Sequence, residues 1–249
     1  MTNAPFQPEY MPILTLAVKQ INSGLSSVIH SLYLNGSVMR GEAKPGQSDV
    51  NMTLLLKRPL NAQEESVLKS IQLRIESRFS YLKRLSFNHT TLNQVSDIKN
   101  IFYWGFWFKH CSLCLSGSNI GEEFGSFEPS WEVAKAFNGD VEEWITEYKA
   151  KIQAATITGP YLEACHEIAK KLIFSSFSLV AHRDKCWAFT IEECLEHFLF
   201  RYPDKYVETE RLLILYHRKK VPKRAALGLL NMYGDWLVNE FKRIDRKIG

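Results

Sequence analysis

The segment from Leu32 to Leu56, LYLNGSVMRGEAKPGQSDVNMTLLL, constrains the fold more than any other part of the chain. Both of its ends are apolar and carry residues typical of β-strands, whereas its middle is rich in Gly, Pro, Lys and Ser. The pattern predicts a strand over 28–34 that runs into Gly36-Ser37, and a second strand over 49–56. We therefore expect two neighbouring strands joined by a turn-rich connection.

The polar residues at these strand ends favour a site for a phosphorylated ligand. A glycine followed by a serine, here Gly36 and Ser37, allows backbone N–H groups and a hydroxyl to approach a triphosphate closely. Residues 49 and 51 are two apart on a strand, so they lie on the same face. Carboxylates at both positions would hold Mg²⁺ ions that bridge the phosphates and activate an attacking hydroxyl. This chain has Asp49 at the first position and Asn51 at the second.

The same residues carry a resemblance to a known superfamily. Gly36-Ser37, Arg40-Gly41 and Ser48-Asp49-Val50-Asn51 resemble the G-S-x-A-R-G … S-D-x-D signature of the DNA polymerase β type nucleotidyltransferases. Within that superfamily the chain is most similar to the aminoglycoside adenylyltransferases that modify streptomycin and spectinomycin. Two less specific segments agree, since Leu115 to Ile120 is similar to their L-Y-G-x-x-L segment, and Trp187 to Glu193 to their S-K-x-E-A helix start.

The resemblance implies both a fold and a reaction. The fold is α+β, with a nucleotidyltransferase (polymerase β-like) domain over 1–128 followed by a C-terminal α-helical bundle over 129–249. The reaction is the Mg²⁺-dependent transfer of a nucleoside monophosphate, from ATP or another nucleoside triphosphate, to a hydroxyl of an unidentified small molecule. The site residues that it implies are Gly36, Ser37, Arg40 and Ser48 for the nucleotide, and Asp49 and Asn51 for the metal, with Asp49 also catalytic.

The chain departs from the family at the metal ligands. The second acid of the D-x-D pair is replaced by Asn51, and the third acid, expected on the next strand, falls on Ser86 or Asn88. An amide is a neutral oxygen ligand, so it cannot supply the charge that holds two divalent ions. It also cannot act as the general base for an acceptor hydroxyl. Of three expected acids only Asp49 remains, so we expect catalysis to be weak or lost.

Two alternatives follow from this departure. Another acid, such as Glu42 in the connecting loop or Asp97, could rebuild the site, although a solvated loop acid and a helix cap are the more common roles for such residues. Otherwise the chain is a pseudoenzyme, a non-catalytic nucleotide-binding or regulatory protein that interacts with a protein partner.

The remaining pattern divides the chain into a mixed half and a helical half. Before residue 125, helical periodicity predicts helices over 10–26, 61–79 and 96–110. Alternation predicts a strand over 82–91, and a short apolar run indicates another over 112–115. The later half is predicted to be almost entirely helical, with helices near 140–155, 160–181, 190–200, 206–219 and 223–245. This order is typical of an α+β domain followed by a helical bundle.

Bulk composition limits the partners and the compartment. The net charge of +4 suits an anionic ligand such as a nucleotide, but it is too small to indicate nucleic acid, which we do not expect as a partner. We also expect no signal peptide and no membrane-spanning segment. The five cysteines are odd in number and are not spaced like a disulfide framework, which favours the reducing cytoplasm.

Three weaker signals have ordinary interpretations that we favour. Cys111 and Cys114 have the spacing of a zinc-binding pair, but they lie in an apolar run where a free cysteine behaves as a small hydrophobe. Arg211 and His217 are spaced as in some helical ribonucleases, yet a basic helical face is usually only solvated. The aromatic run over 102–108 could stack a base, but six aromatic residues in seven helical positions are mostly packing residues.

Overall fold

The computed structural model describes residues 7–248, and within them the mixed half of the chain builds a four-stranded sheet. The strands are β1 (Ile29–Asn35), β2 (Val50–Leu56), β3 (Leu85–Thr91) and β4 (Ser112–Gly117), in the spatial order β3-β2-β1-β4. β1 is antiparallel to both β2 and β4, whereas β2 and β3 are parallel. The four predicted strands are therefore present, and the α+β class is confirmed.

The described residues of this half form five α-helices, in the order α1 (Met11–Gly24), α2 (Ser37–Arg40), α3 (Ala62–Arg78), α4 (Leu92–Ser96) and α5 (Phe106–His110). α3 begins with a capping box, because the Asn61 side chain accepts from the Glu64 N–H while the Glu64 carboxylate accepts from the Asn61 N–H. α3 forms the crossover between the parallel strands β2 and β3.

The two faces of the sheet differ in chemistry because side chains alternate along each strand. On one face Leu32, Leu34, Met52 and Leu54 are at most 1% exposed and pack with the apolar residues of α1 and α3. The opposite face carries polar residues toward one end of the strands. Toward the other end it carries a small cluster of buried residues, Tyr33, Leu55, Val95, Phe108 and Ile120. α1 and α3 therefore cover the first face, whereas residues of α4 and α5 cover one end of the second face and polar groups remain at its other end.

The third predicted strand begins three residues later than expected. The predicted strand includes Leu82. The N–H of Leu82 instead donates to the Phe79 carbonyl oxygen at 2.9 Å and closes a turn after α3. Pairing with β2 begins only at Leu85, opposite Val50.

The aromatic segment was wrongly predicted to be one continuous helix over 96–110. It forms a 3₁₀ turn over Ile98–Asn100, a π-helical turn over Ile101–Gly105, and then α5. Gly105 is packed so closely that a Cβ there would lie 2.8 Å from Phe127 Cζ. The wider π-helical turn changes the register of the residues that follow, and Phe106 and Phe108 both become buried.

A boundary between Phe127 and Glu128 divides the chain into two compact units, and the described part of the second unit contains six helices. They are α6 (Trp131–Asn138), α7 (Val141–Ala154), α8 (Thr158–Asp184), α9 (Ile191–Arg201), α10 (Tyr206–Tyr216) and α11 (Lys223–Ile248). α8 is central, since each of the other five packs against it. The C-terminal helical bundle is thus confirmed, whereas α6 was not predicted.

Local signals fix several ends of these helices. Ser130 caps α6 by accepting from the Val133 N–H at 3.3 Å. Thr190 and Glu193 form a capping box at the start of α9, within the segment that resembles a helix start. Among residues 7–248, no helix has the length and apolar character needed to cross a membrane.

Candidate functional site

The sheet aligns four polar residues at one edge of its polar face. Asn51 at the start of β2 pairs with Asn35 at the end of β1 and with Ser86 near the start of β3. Asn35 in turn pairs with Ser112 at the start of β4. Residues directly opposite each other on neighbouring strands point to the same face. We call Ser86, Asn51, Asn35 and Ser112 the polar row.

Gly36 brings the two halves of the sequence motif together. A Cβ added to it would lie 3.1 Å from Asn51 Nδ2, so the glycine backbone lies against the Asn51 side chain. Gly36 has φ 79° and ψ −159°, and it precedes the single-turn helix α2, which begins at Ser37. The first N–H groups of a helix have no acceptor within it, so those that follow Gly36 can bond to a ligand. The turn can therefore offer N–H groups and the Ser37 hydroxyl to an anion.

The Asp49 carboxylate lies within ion-pair distance of two cationic side chains, Arg84 and Lys83. Its Oδ2 accepts from Arg84 Nη2 at 2.7 Å and from Arg84 Nε at 3.1 Å. Its Oδ1 is buried and accepts no hydrogen bond within the described residues, but Lys83 Nζ lies 3.4 Å away. The side chain of Asp49 is only 14% exposed, whereas those of Arg84 and Lys83 are 54% and 41% exposed.

The parallel pairing of β2 with β3 explains this arrangement. Val50 is opposite Leu85, and the Val50 N–H donates to the Arg84 carbonyl oxygen at 2.9 Å. Asp49 and Arg84 therefore occupy equivalent positions, one residue before their strands. The cations on Asp49 were not anticipated from the sequence, because they lie more than thirty residues away along the chain.

The two other predicted nucleotide-binding residues lie in the connection between β1 and β2. Arg40 Nε donates to Glu42 Oε2 at 2.8 Å, so this arginine is partly neutralised. Ser48 Oγ accepts from the Lys44 N–H at 2.9 Å and closes a turn. Both side chains have a structural partner, and the Ser48 hydroxyl hydrogen remains available as a donor.

The acids considered as replacements have other roles. Glu42 is exposed and paired with Arg40. Asp97 accepts from the Lys99 N–H at 3.0 Å, so the interpretation as a helix cap is confirmed. The register places Ser86 opposite Asn51 and Asn88 opposite Thr53, and neither of these β3 residues is acidic.

The residues present do not fit a pair of magnesium ions. Within residues 7–248, no three His, Cys, Asp or Glu side chains come together as a metal-binding group. Asp49 is the single carboxylate at this edge of the sheet among the predicted ligands, and its oxygens face Arg84 and Lys83. The amide of Asn51 adds an oxygen but no charge. Two Mg²⁺ ions prefer several carboxylates, and the predicted ligands supply one.

A buried hydrogen-bond network supports the polar row. Asn35 Nδ2 donates to Thr53 Oγ1 at 2.8 Å, and Trp107 Nε1 donates to the same oxygen at 3.2 Å. Thr53 is fully buried and Asn35 is 6% exposed. Sequence reasoning missed these residues, although the period-two pattern of 49 and 51 continues to Thr53 and could have indicated it.

The weaker candidates do not form a site in the described part of the chain. Burial raises the pKa of the Cys111 thiol to about 12, and it also raises the pKa of Cys114, so both remain protonated thiols. Arg211 is exposed on α10, and His217 is exposed just after that helix ends. Thiols and solvated side chains of this kind are not preorganised for zinc or for catalysis.

Comparison with known proteins gives a structural match without a sequence match. No protein-family model matches the chain, and no curated protein matches it. A solved structure does match, that of spectinomycin adenyltransferase AAD(9) from Enterococcus faecialis with ATP and spectinomycin. The TM-score is 0.62 at 12% sequence identity, and the match covers 93% of this chain and 98% of the other.

The chain therefore has a nucleotidyltransferase-like fold. At this level of identity the likeness establishes the fold alone, because one fold supports many chemistries.

Proposed function

We propose that this protein binds a nucleoside triphosphate at the Gly36–Ser37 turn and has lost the two-metal transfer reaction. The observation that carries the proposal is the state of Asp49, a lone carboxylate held by Arg84 and Lys83 where the resemblance implies a cluster of acids. On this proposal the protein is a pseudoenzyme that acts in the cytoplasm by binding nucleotide.

The nucleotide is supported by the turn and by the fold. Gly36 has no side chain to obstruct an approaching phosphate, and the N–H groups after it have no acceptor within α2. The structural neighbour was solved with ATP and spectinomycin. ATP is therefore the first ligand to test, followed by GTP.

Loss of transfer is supported by the chemistry of the polar row. Transfer to a hydroxyl requires a base that removes its proton, and an amide or a serine cannot fill that role at neutral pH. Position 51 is an amide, and position 86, directly opposite it, is a serine. If catalysis were retained, the acceptor would be a small-molecule hydroxyl such as those of spectinomycin. If it is lost, the output of nucleotide binding is an interaction with a protein partner.

Calorimetric titration of ATP and GTP into the full chain, combined with a pyrophosphate-release assay, tests the proposal. We expect saturable nucleotide binding and no pyrophosphate release in Mg²⁺, with or without spectinomycin. Metal-dependent release by the unmodified chain would show that transfer is retained. An absence of binding under every condition would remove the nucleotide from the proposal.

Restoring acids at the site tests whether their absence accounts for the proposed loss of the transfer reaction. The double variant Asn51→Asp with Ser86→Asp places two carboxylates opposite each other on β2 and β3. The matched control combines Asn51→Asp with Asn88→Asp, because residue 88 lies opposite Thr53 instead. We expect Mg²⁺-dependent pyrophosphate release from the first variant and less from the second. No gain in either would show that the scaffold has lost more than its acids.

A further inference from the structure

We propose that Arg84 and Lys83 supply the positive charge that metal ions supply in two-metal nucleotidyltransferases, so that the triphosphate binds here without a divalent cation. The inference rests on the proposed function and concerns the same site. We call Asp49, Arg84 and Lys83 the cationic clamp.

The clamp lies next to the Gly36 turn. Gly36 lies against the Asn51 side chain, and Asp49 lies two residues before Asn51 in the same extended segment. The β2–β3 register places Arg84 beside Asp49. Consecutive residues of an extended chain rise by about 3.3 Å, so Asp49 lies roughly 7 Å along the chain from Asn51. A phosphate chain that begins at the turn can therefore reach the clamp.

The side chains of Arg84 and Lys83 are accessible to a ligand, whereas that of Asp49 is largely buried. Arg84 is 54% exposed and Lys83 is 41% exposed, whereas Asp49 is 14% exposed. Both Arg84 contacts to Asp49 go to a single oxygen, Oδ2, and they use two of the five guanidinium N–H donors. The other donors have the planar geometry that suits phosphate oxygens. Asp49 thus serves to position the arginine.

The charge balance is the same as in a two-metal site. Three carboxylates with two divalent ions leave one net positive charge toward the phosphates. One carboxylate with an arginine and a lysine also leaves one net positive charge. The loss of acids at positions 51 and 86 therefore fits the presence of fixed cations. Without those losses, three carboxylates beside two cations would repel a triphosphate in the absence of divalent ions.

Titration of ATP into the full chain, in EDTA and in Mg²⁺, tests the inference directly. We expect the affinity in EDTA to equal or exceed that in Mg²⁺, and inorganic tripolyphosphate to compete. Arg84→Ala should weaken binding in EDTA by roughly ten- to hundred-fold, the usual effect of losing hydrogen bonds to a charged group. Arg84→Lys should recover part of the loss, because it keeps the charge but not the planar donors.

The matched control is Arg74→Ala, an exposed arginine on α3, which packs against the apolar face of the sheet. It changes the net charge by the same amount and should leave the affinity unchanged. If Arg84→Ala does not fold, as judged by circular dichroism, Lys83→Ala removes the more weakly held cation and should also weaken binding in EDTA.

The outcomes separate this inference from the proposed function. Binding that requires Mg²⁺ would overturn the clamp and leave nucleotide binding in place. Binding in EDTA that is unaffected by Arg84→Ala and Lys83→Ala would reduce the clamp to a structural ion pair. No binding of ATP by the unmodified chain in either condition would remove the proposed function, and the clamp with it.

Discussion

Gly36 has a backbone conformation that residues other than glycine rarely adopt. Its φ of 79° and ψ of −159° lie in a region where any Cβ is strained. Replacing it with alanine should cost about 1–3 kcal/mol in the free energy of unfolding for the backbone alone. The new methyl would also lie 3.1 Å from Asn51 Nδ2, so that amide must move by a few tenths of an ångström. Gly36→Ala therefore perturbs both stability and the polar row.

Alanine substitutions at two other glycines distinguish the cost of backbone strain from the cost of the new contact with Asn51. Gly46 has φ 73°, and no heavy atom of a described residue beyond its chain neighbours lies within 4 Å of an added Cβ. Gly46→Ala thus reports backbone strain without a new contact. Gly228 lies in α11 with similar open space and ordinary φ, so Gly228→Ala should stabilise by up to about 1 kcal/mol through helix propensity.

Hydrogen exchange of the β1 and β2 amides is the assay of choice for Gly36→Ala. The chain has two compact units, so its global unfolding need not be two-state, whereas these amides report the first unit directly. We expect lower protection in Gly36→Ala than in Gly46→Ala, together with weaker ATP binding. A loss below about 0.5 kcal/mol, the range of a neutral surface substitution, would refute the assigned conformation.

Two further predictions concern polar groups of the first unit. Thr53→Val removes the acceptor for Asn35 and Trp107 and should cost about 1–3 kcal/mol in the hydrogen-exchange protection of the β1 and β2 amides, while Thr53→Ser should cost only about 1 kcal/mol; equal losses would contradict the network. Hydrogen bonds from Arg58 lower the pKa of Glu64 from 4.5 to about 2, so its stabilisation is present above pH 4.5 and is lost as the pH falls toward 2. Urea midpoints of Glu64→Gln and the unmodified chain should therefore differ at pH 6 and converge with acidification, and a constant difference would contradict this linkage.

Much of the fold followed from local sequence signals. Residues typical of β-strands located β1 and β2, alternation located β3, and a short apolar run located β4. Helical periodicity located α1, α3 and five of the six helices in the second unit. The exceptions were short or crowded elements, namely α6, α4 and the π-helical turn over Ile101–Gly105. Their length or their packing, not their periodicity, decides their conformation.

Only part of the candidate site could be predicted from the sequence. Gly36-Ser37 and Asp49-Val50-Asn51 could be recognised because their spacing along the chain is short, and the antiparallel pairing of β1 with β2 brings them together. The choice between Ser86 and Asn88 remained open, because it depends on the register of β3 against β2. That register is set by packing across α3 and leaves no local signature.

The sequence by itself determined the order of elements, the position of the turn and the absence of acids at positions 51, 86 and 88. The tertiary structure decided which charges meet. Asp49 and Arg84 lie far apart in the chain and become neighbours only when two parallel strands align with Val50 opposite Leu85. A one-residue shift would have turned these side chains to the other face, since the side-chain period of a strand is two. The pairing that converts an expected metal ligand into part of a cationic clamp is therefore a product of sheet register, which local residue patterns do not encode.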